Sequence, residues 1–134
     1  MTVYLHGNLG AGKTTLVRGL LRALGYREKV KSPSYNLLEL YPLSKLDLYH
    51  FDFYRLKEPQ EWQDAGFREY LSEHATWVVE WPEKAEGTLP PPDISVALQW
   101  AEPGRIATVT AHTPAGRRVL AALRNCPDEP QPPR

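Results

Sequence analysis

"LHGNLGAGKTT", residues 5–15, decides how the rest of the chain is read. Gly7, four residues, then Gly12, Lys13 and Thr14 is the spacing of a phosphate-binding loop, in which successive backbone N–H groups surround phosphate oxygens. Glycine at positions 7, 10 and 12 lets the backbone take positive φ and approach an anion with no Cβ in between. The candidate nucleotide-binding positions are therefore Gly7, Asn8, Leu9, Gly10, Ala11 and Gly12, followed by Lys13, Thr14 and Thr15. Lys13 is expected to reach the β- and γ-phosphates, and the Thr14 hydroxyl to ligate a bridging Mg²⁺.

The flanks supply the context such a loop requires. "TVYLH" before it is a β-branched and aromatic run that reads as a strand. "TTLVRGLLRALG" after it reads as a helix, with Leu16, Val17, Leu20, Leu21 and Leu24 on one apolar face and Gly25 at the position just past its C-terminus. The N-terminus of that helix points its dipole at the bound anion. Strand, loop and helix in this order make the chain a nucleotide binder of the α/β class.

With 134 residues, the chain has the length of one core of modest size. The domain is expected to span 1–125. "CPDEPQPPR", residues 126–134, is too polar and proline-rich to pack and reads as a disordered tail. No apolar run is long enough to cross a bilayer, which argues against a membrane partner. The single cysteine, Cys126, excludes a disulfide within the chain and fits a reducing cytoplasm. Formal net charge is zero, so nothing in the total favours direct binding to DNA.

Further along, "VKSPSYNLLELYP" and "KLDLYHFDFYR" read as two strands joined by a turn at Pro42 to Lys45. "EPQEWQDAGFREYLSE" is expected to form one helix packed through Trp62, Phe67, Tyr70 and Leu71. "ATWVVEW" reads as a buried strand, and "ISVALQW" with "RIATVTA" as a hairpin around Glu102-Pro103-Gly104. A last helix is expected to start with Thr113 as N-cap and Pro114 at its first position.

A phosphate-binding loop needs an acidic partner for its metal, set at the C-terminal end of a neighbouring strand. Asp52 closes "LYHFD" and Glu80 closes "WVVE", so both are candidates. Ser34 in "SPSY" is a third, because a hydroxyl after the first helix is where such proteins place a nucleotide-sensing switch. "SKLD" at 44–47 is a near match to the guanine-specifying motif of GTPases. It precedes the acidic strand, where that motif should follow one, and a GTPase is disfavoured. A small-molecule kinase would need a lid and an acceptor pocket for which so short a chain has little room. A module that binds nucleotide with little hydrolysis is the stronger alternative to an ATPase.

The ordered set "GNLGAGKTTLVRGLL", "VKSPSYNLLELY", "HFDFYRL" and "VVEWPE" resembles the bacterial TsaE (formerly YjeE) ATPases of tRNA threonylcarbamoyladenosine biosynthesis. The resemblance implies a P-loop NTPase-like three-layer sandwich with a mixed, mainly parallel sheet, ATP/ADP and Mg²⁺ as cofactors, and TsaB and TsaD as partners, with tRNA reached through their complex. By the same resemblance Thr14 and Glu80 hold Mg²⁺, Lys13 binds phosphates and Asp52 sits at the catalytic centre. Ser34 is the switch hydroxyl, Trp81 lies close to the nucleotide, and Arg105 approaches it. The chain departs from the family at Asn8, where Asp is usual, and at Ser34, where Thr is usual. The family also carries a helix and a strand ahead of the loop, so the expectation is a start placed too late at Met1 or a shortened form with an open base pocket.

Overall fold

In a computed structural model the structure describes residues 1–8, 12–30, 37–70 and 74–124. The elements are β1 (Thr2–His6), α1 (Lys13–Ala23), β2 (Leu38–Pro42), β3 (Asp47–Asp52), α2 (Gln60–Asp64), β4 (Ala75–Glu80), β5 (Ile94–Ala101), β6 (Gly104–Ala111) and α3 (Pro114–Arg124), each expected strand having a counterpart, with residues 31–36 of the strand expected at 30–42 outside the described residues. Short 3₁₀ turns at Phe67–Tyr70 and Pro82–Ala85 complete the regular structure of the described residues. Residues 126–134, read above as a disordered tail, lie outside them.

The six strands form one sheet in the order β2-β3-β4-β1-β5-β6. β3, β4, β1 and β5 are mutually parallel, and β2 and β6 are antiparallel edges. Connection length explains the mixture. The tight turns between β2 and β3 and between β5 and β6 can join only antiparallel strands, whereas parallel neighbours need long crossovers. The alternation of side chains divides the core. On one face Tyr49, Phe51, Phe53, Trp62, Trp77 and Val79 pack together, with Phe51 and Trp77 rings 4.5 Å apart. On the other, Leu5, Leu48 and Val78 meet Val17 and Leu21 of α1. The result is a three-layer α/β sandwich of the P-loop NTPase type.

α1 ends as its sequence predicts. Gly25 takes φ 97°, its N–H bonds the Arg22 carbonyl and the Tyr26 N–H bonds the Leu21 carbonyl, the paired arrangement that satisfies carbonyls at a helix end. Its apolar face is narrower than expected. Val17 and Leu21 are buried, but Leu16, Leu20 and Leu24 are 39%, 40% and 40% exposed, because the sheet surface reaches only the two central positions. A second expectation is corrected at "EPQEWQDAGFREYLSE". Gly66 takes φ 78° and divides the segment into α2 and the Phe67–Tyr70 turn. Trp62 is fully buried and its indole N–H donates to Thr88 Oγ1 at 2.6 Å, while Tyr70 is 37% exposed and stacks on Tyr49. Leu71 lies outside the described residues.

Asp93 joins α3 to the sheet. Its carboxylate accepts from the Thr2 N–H at 2.8 Å and the Thr113 hydroxyl at 2.7 Å, and Thr113 Oγ1 accepts from the Gly116 N–H as the expected N-cap. Burial alone would push the Asp93 pKa up, but these two donors and the N-terminal amine outweigh it and hold it below the usual value. The stability this joint supplies is present above the unfolded-state pKa and is lost as pH falls through the lowered folded one. Gly116 makes the joint possible, since a Cβ there would stand 2.0 Å from the Asp93 carbonyl oxygen. Gly→Ala in an open helix stabilises by up to about 1 kcal/mol. Gly116→Ala is instead expected to lower stability by about 1–3 kcal/mol, the usual cost of overpacking. Urea unfolding would check this, and an unchanged or higher midpoint would refute the close approach.

Candidate nucleotide-phosphate site

The C-terminal ends of the parallel strands converge on the start of α1. β1 runs into Gly7 with φ 149°, and Gly12, with φ 102°, caps α1 in the left-handed region. The helix begins at once, the Leu16 N–H bonding the Gly12 carbonyl at 2.9 Å. A Cβ on Gly12 would also stand in tight contact with the Arg105 side chain, 3.2 Å from its Cδ and Nε. Arg105 therefore lies against the loop, with its guanidinium carbon 4.6 Å from the centre of the Trp100 ring. Gly12, Thr15, Leu16, Leu98 and Arg105 line a cavity of about 250 Å³ beside it. Asn8 and Thr15 are exposed and Thr14 is half-buried. Leu9, Gly10, Ala11 and Ser34 lie outside the described residues.

Lys13 is only 5% exposed. Its Nζ donates to the Gly7 carbonyl at 2.6 Å and sits 3.8 Å from the centre of the Trp81 ring. Burial lowers its pKa, opposed by the negative charges of Glu80, Asp52 and Glu83. The ammonium is thus held beside Gly7 by a carbonyl, an aromatic face and the charges of three carboxylates. Trp81 reaches this position because it adopts φ 57° and ψ 50°, turning the end of β4 into the Pro82–Ala85 turn. A bulky residue in that region carries strain of the order of 1–3 kcal/mol.

Asp52 and Glu80 are register partners at the ends of β3 and β4. The period of two puts them, with His50, on the α1 face of the sheet. They differ in depth. Glu80 is 3% exposed and its Oε2 lies 2.5 Å from His50 Nε2. Asp52 is half-buried, and its Oδ1 accepts the Tyr54 N–H at 3.0 Å. Burial raises the Asp52 pKa; the Tyr54 N–H lowers it, the Glu80 charge raises it, and His50 and Lys13 lower it, leaving it above the usual value.

Among the described residues no group of three or more His, Cys, Asp or Glu side chains gathers to hold a metal. The Thr14 hydroxyl and the Asp52 and Glu80 carboxylates offer oxygen donors only. This chemistry suits Mg²⁺, which keeps several waters and shares phosphate oxygens. Conformationally free glycines, the N-terminus of α1 and the buried Lys13 suit the phosphates themselves.

The structure therefore brings together Gly7, Gly12, Lys13, Asp52, Glu80, Trp81 and Arg105 from four segments distant in sequence. "SKLD" goes to the other end, since its Asp47 begins β3 and Asp52 closes it, a strand rise of about 17 Å away. His50, Tyr54 and Glu83 belong to the site's surroundings but were not singled out from the sequence. The alternation in "LYHFD" was the available signal for His50, because it puts Leu48, His50 and Asp52 on one face. Among the described residues no helix is long and apolar enough to cross a membrane.

Comparisons with known proteins agree with this geometry. The family model described as threonylcarbamoyl adenosine biosynthesis protein TsaE matches residues 1–107. A tRNA threonylcarbamoyladenosine biosynthesis protein TsaE from Haemophilus influenzae is 42% identical over 123 residues, 92% of this chain and 78% of the relative. The protein of that name from Bacillus subtilis is 36% identical over 97 residues, 72% of this chain and 60% of the relative. The crystal structure of YdiB from Bacillus subtilis superposes with a TM-score of 0.75 at 29% identity, covering 92% of this chain and 76% of that one. Loop, strand-end carboxylates, sheet order and these matches lead to one assignment: the chain belongs to the TsaE family of threonylcarbamoyl adenosine biosynthesis proteins.

Proposed function

We propose that this protein is a cytoplasmic Mg²⁺-dependent ATPase that works with TsaB and TsaD in forming threonylcarbamoyladenosine on tRNA, itself meeting tRNA only through that complex. The observation that carries the reading is the convergence of Lys13 at the start of α1 with Asp52 and Glu80 on one face of adjacent strand ends. Family membership supports the pathway, and the donor set supports the cofactors.

In this reading Lys13 leaves the Gly7 carbonyl for the β- and γ-phosphates. The N–H groups of the loop from Gly7 to Thr15 would bind the phosphates, and Thr14 and Glu80 would hold the metal. When bound, Mg²⁺ would neutralise negative charge that develops on the phosphate oxygens. Asp52 orients the attacking water and accepts its proton. Trp81 and Arg105 flank the nucleotide, and Ser34 senses the γ-phosphate. ATP and ADP then present different surfaces to the partners, which cycle with hydrolysis.

The test is a titration and a rate. Lys13→Ala removes charge-assisted bonds of about 1.5–3 kcal/mol, so ATP affinity should fall roughly ten- to hundredfold. Wild-type turnover should be slow alone and rise when TsaB and TsaD are added. Unchanged ATP binding in Lys13→Ala would remove the phosphate-site reading. A wild-type rate indifferent to both partners would remove the partner role.

A further inference from the structure

His50 has no exposed surface, lies on a strand inside the sheet, and among the described residues has one polar contact, Nε2 to Glu80 Oε2 at 2.5 Å. Its other ring nitrogen, Nδ1, is buried without a hydrogen-bond partner among the described residues. As core filling this is a poor choice. Leu48 and Phe51 occupy the same strand with no polar atom to satisfy, whereas an imidazole here leaves a buried nitrogen unmet, at a cost. The polar capacity of the ring that finds a partner is spent wholly on one carboxylate.

That carboxylate is Glu80, and its terminal torsion is broad and roughly two-fold, so packing alone fixes its plane weakly. A donor on Oε2 fixes it. With Nε2–H donating to Oε2 from the core side, Oε1 is the oxygen left to act at the mouth of the site. Carboxylates that bind metals are commonly oriented by such a hydrogen bond, and losing the partner typically costs about 10- to 100-fold in metal affinity or activity.

We propose that His50 is a positioning residue for the metal: it sets the orientation of the Glu80 carboxylate and thereby the Mg²⁺ affinity of the nucleotide complex. The proposal rests on the reading of Glu80 as a metal ligand. His50 touches neither phosphate nor metal. Its influence passes through Glu80, so it acts on metal binding and leaves metal-free nucleotide binding alone.

Two amide variants separate this from a purely structural role. The amide nitrogen of Gln sits where Nε2 of His does, and that of Asn is too short to reach Oε2. Mn²⁺ affinity of the ADP complex, read by electron paramagnetic resonance of the free ion, should fall about 10- to 100-fold in His50→Asn. It should stay within about threefold of wild type in His50→Gln. ADP affinity measured in EDTA should be the same in all three proteins. Thermal unfolding confirms that each is folded. Wild-type Mn²⁺ affinity in folded His50→Asn would overturn the proposal, as would equal losses in Asn and Gln. If His50→Asn does not fold, His50→Gln decides: retained Mn²⁺ affinity supports the proposal, and lost affinity with a native melt overturns it. A wild-type protein that binds ADP but no Mn²⁺ would instead refute the metal-site reading beneath it.

Discussion

Glu80→Gln is expected to reduce Mg²⁺-dependent ATP turnover about 10²- to 10³-fold, the usual loss when one preorganised electrostatic stabiliser of a transition state is removed. The substitution is isosteric, and its amide oxygen can still accept from His50 Nε2. The buried imidazole therefore keeps its partner, and stability should change little. Glu80→Ala would confound the measurement, because it leaves both His50 nitrogens without a partner among the described residues. Metal-free ATP binding gives the internal control. Glu80 is one of the negative charges surrounding Lys13, and a carboxylate near the loop repels phosphate. Glu80→Gln should thus bind ATP in EDTA as well as wild type or better, while losing the gain that Mg²⁺ provides. The measurements are ATPase rate against Mg²⁺ concentration and ATP affinity with and without EDTA. A variant that keeps its Mg²⁺-dependent rate would show that Glu80 is a buried structural acid with no part in the chemistry.

The parts of this site that were legible in the sequence are those where backbone geometry dictates residue type. Gly7 and Gly12 occupy positive φ, which leaves a readable spacing. Asp52 and Glu80 stand at the ends of apolar strands, where a carboxylate interrupts an otherwise buried run. Both hairpins were legible because their turns are short. What was not legible depends on partners remote along the chain. The sheet order places β1 between β4 and β5, so nothing local announces that Trp81 lies over Lys13 or that Arg105 lies against Gly12. Helical spacing across 58–73 gave one helix where Gly66 makes two pieces, because periodicity carries no information about the sign of φ. Leu16, Leu20 and Leu24 share a helix face with Val17 and Leu21 but not the sheet beneath it. His50 reads as an ordinary strand residue until Glu80 arrives from the next strand. Ser34 and Leu9 to Ala11, read as switch and loop, lie outside the described residues.

Asp52→Asn is expected to slow turnover by at least about 10²-fold, the lower end of what a positioned general base contributes, and to leave its mark on the pH profile. Asp52 must be ionised to accept a proton from water. Burial and the neighbouring Glu80 charge raise its pKa, and the Tyr54 N–H, His50 and Lys13 only partly restore it. The wild-type rate at saturating Mg²⁺ should therefore fall with decreasing pH sooner than an ordinary aspartate would make it fall. Asp52→Asn should show no decline over that window. Stability should move the other way. A carboxylate whose folded pKa lies above its unfolded one binds protons more readily in the native state, so its charge weakens the fold at neutral pH and the wild type gains stability as pH falls through the raised pKa. An Asn has no charge to desolvate, and its Oδ1 can still accept the Tyr54 N–H. The variant should unfold at neutral pH at the same temperature as wild type or higher, while losing the low-pH gain. Rate and stability thus diverge, which simple damage to the site cannot produce. The two experiments are kcat against pH and thermal unfolding against pH for both proteins. A variant that keeps the acid limb would take the base role from Asp52, and a lower melting temperature at neutral pH would contradict the unfavourable burial of its charge.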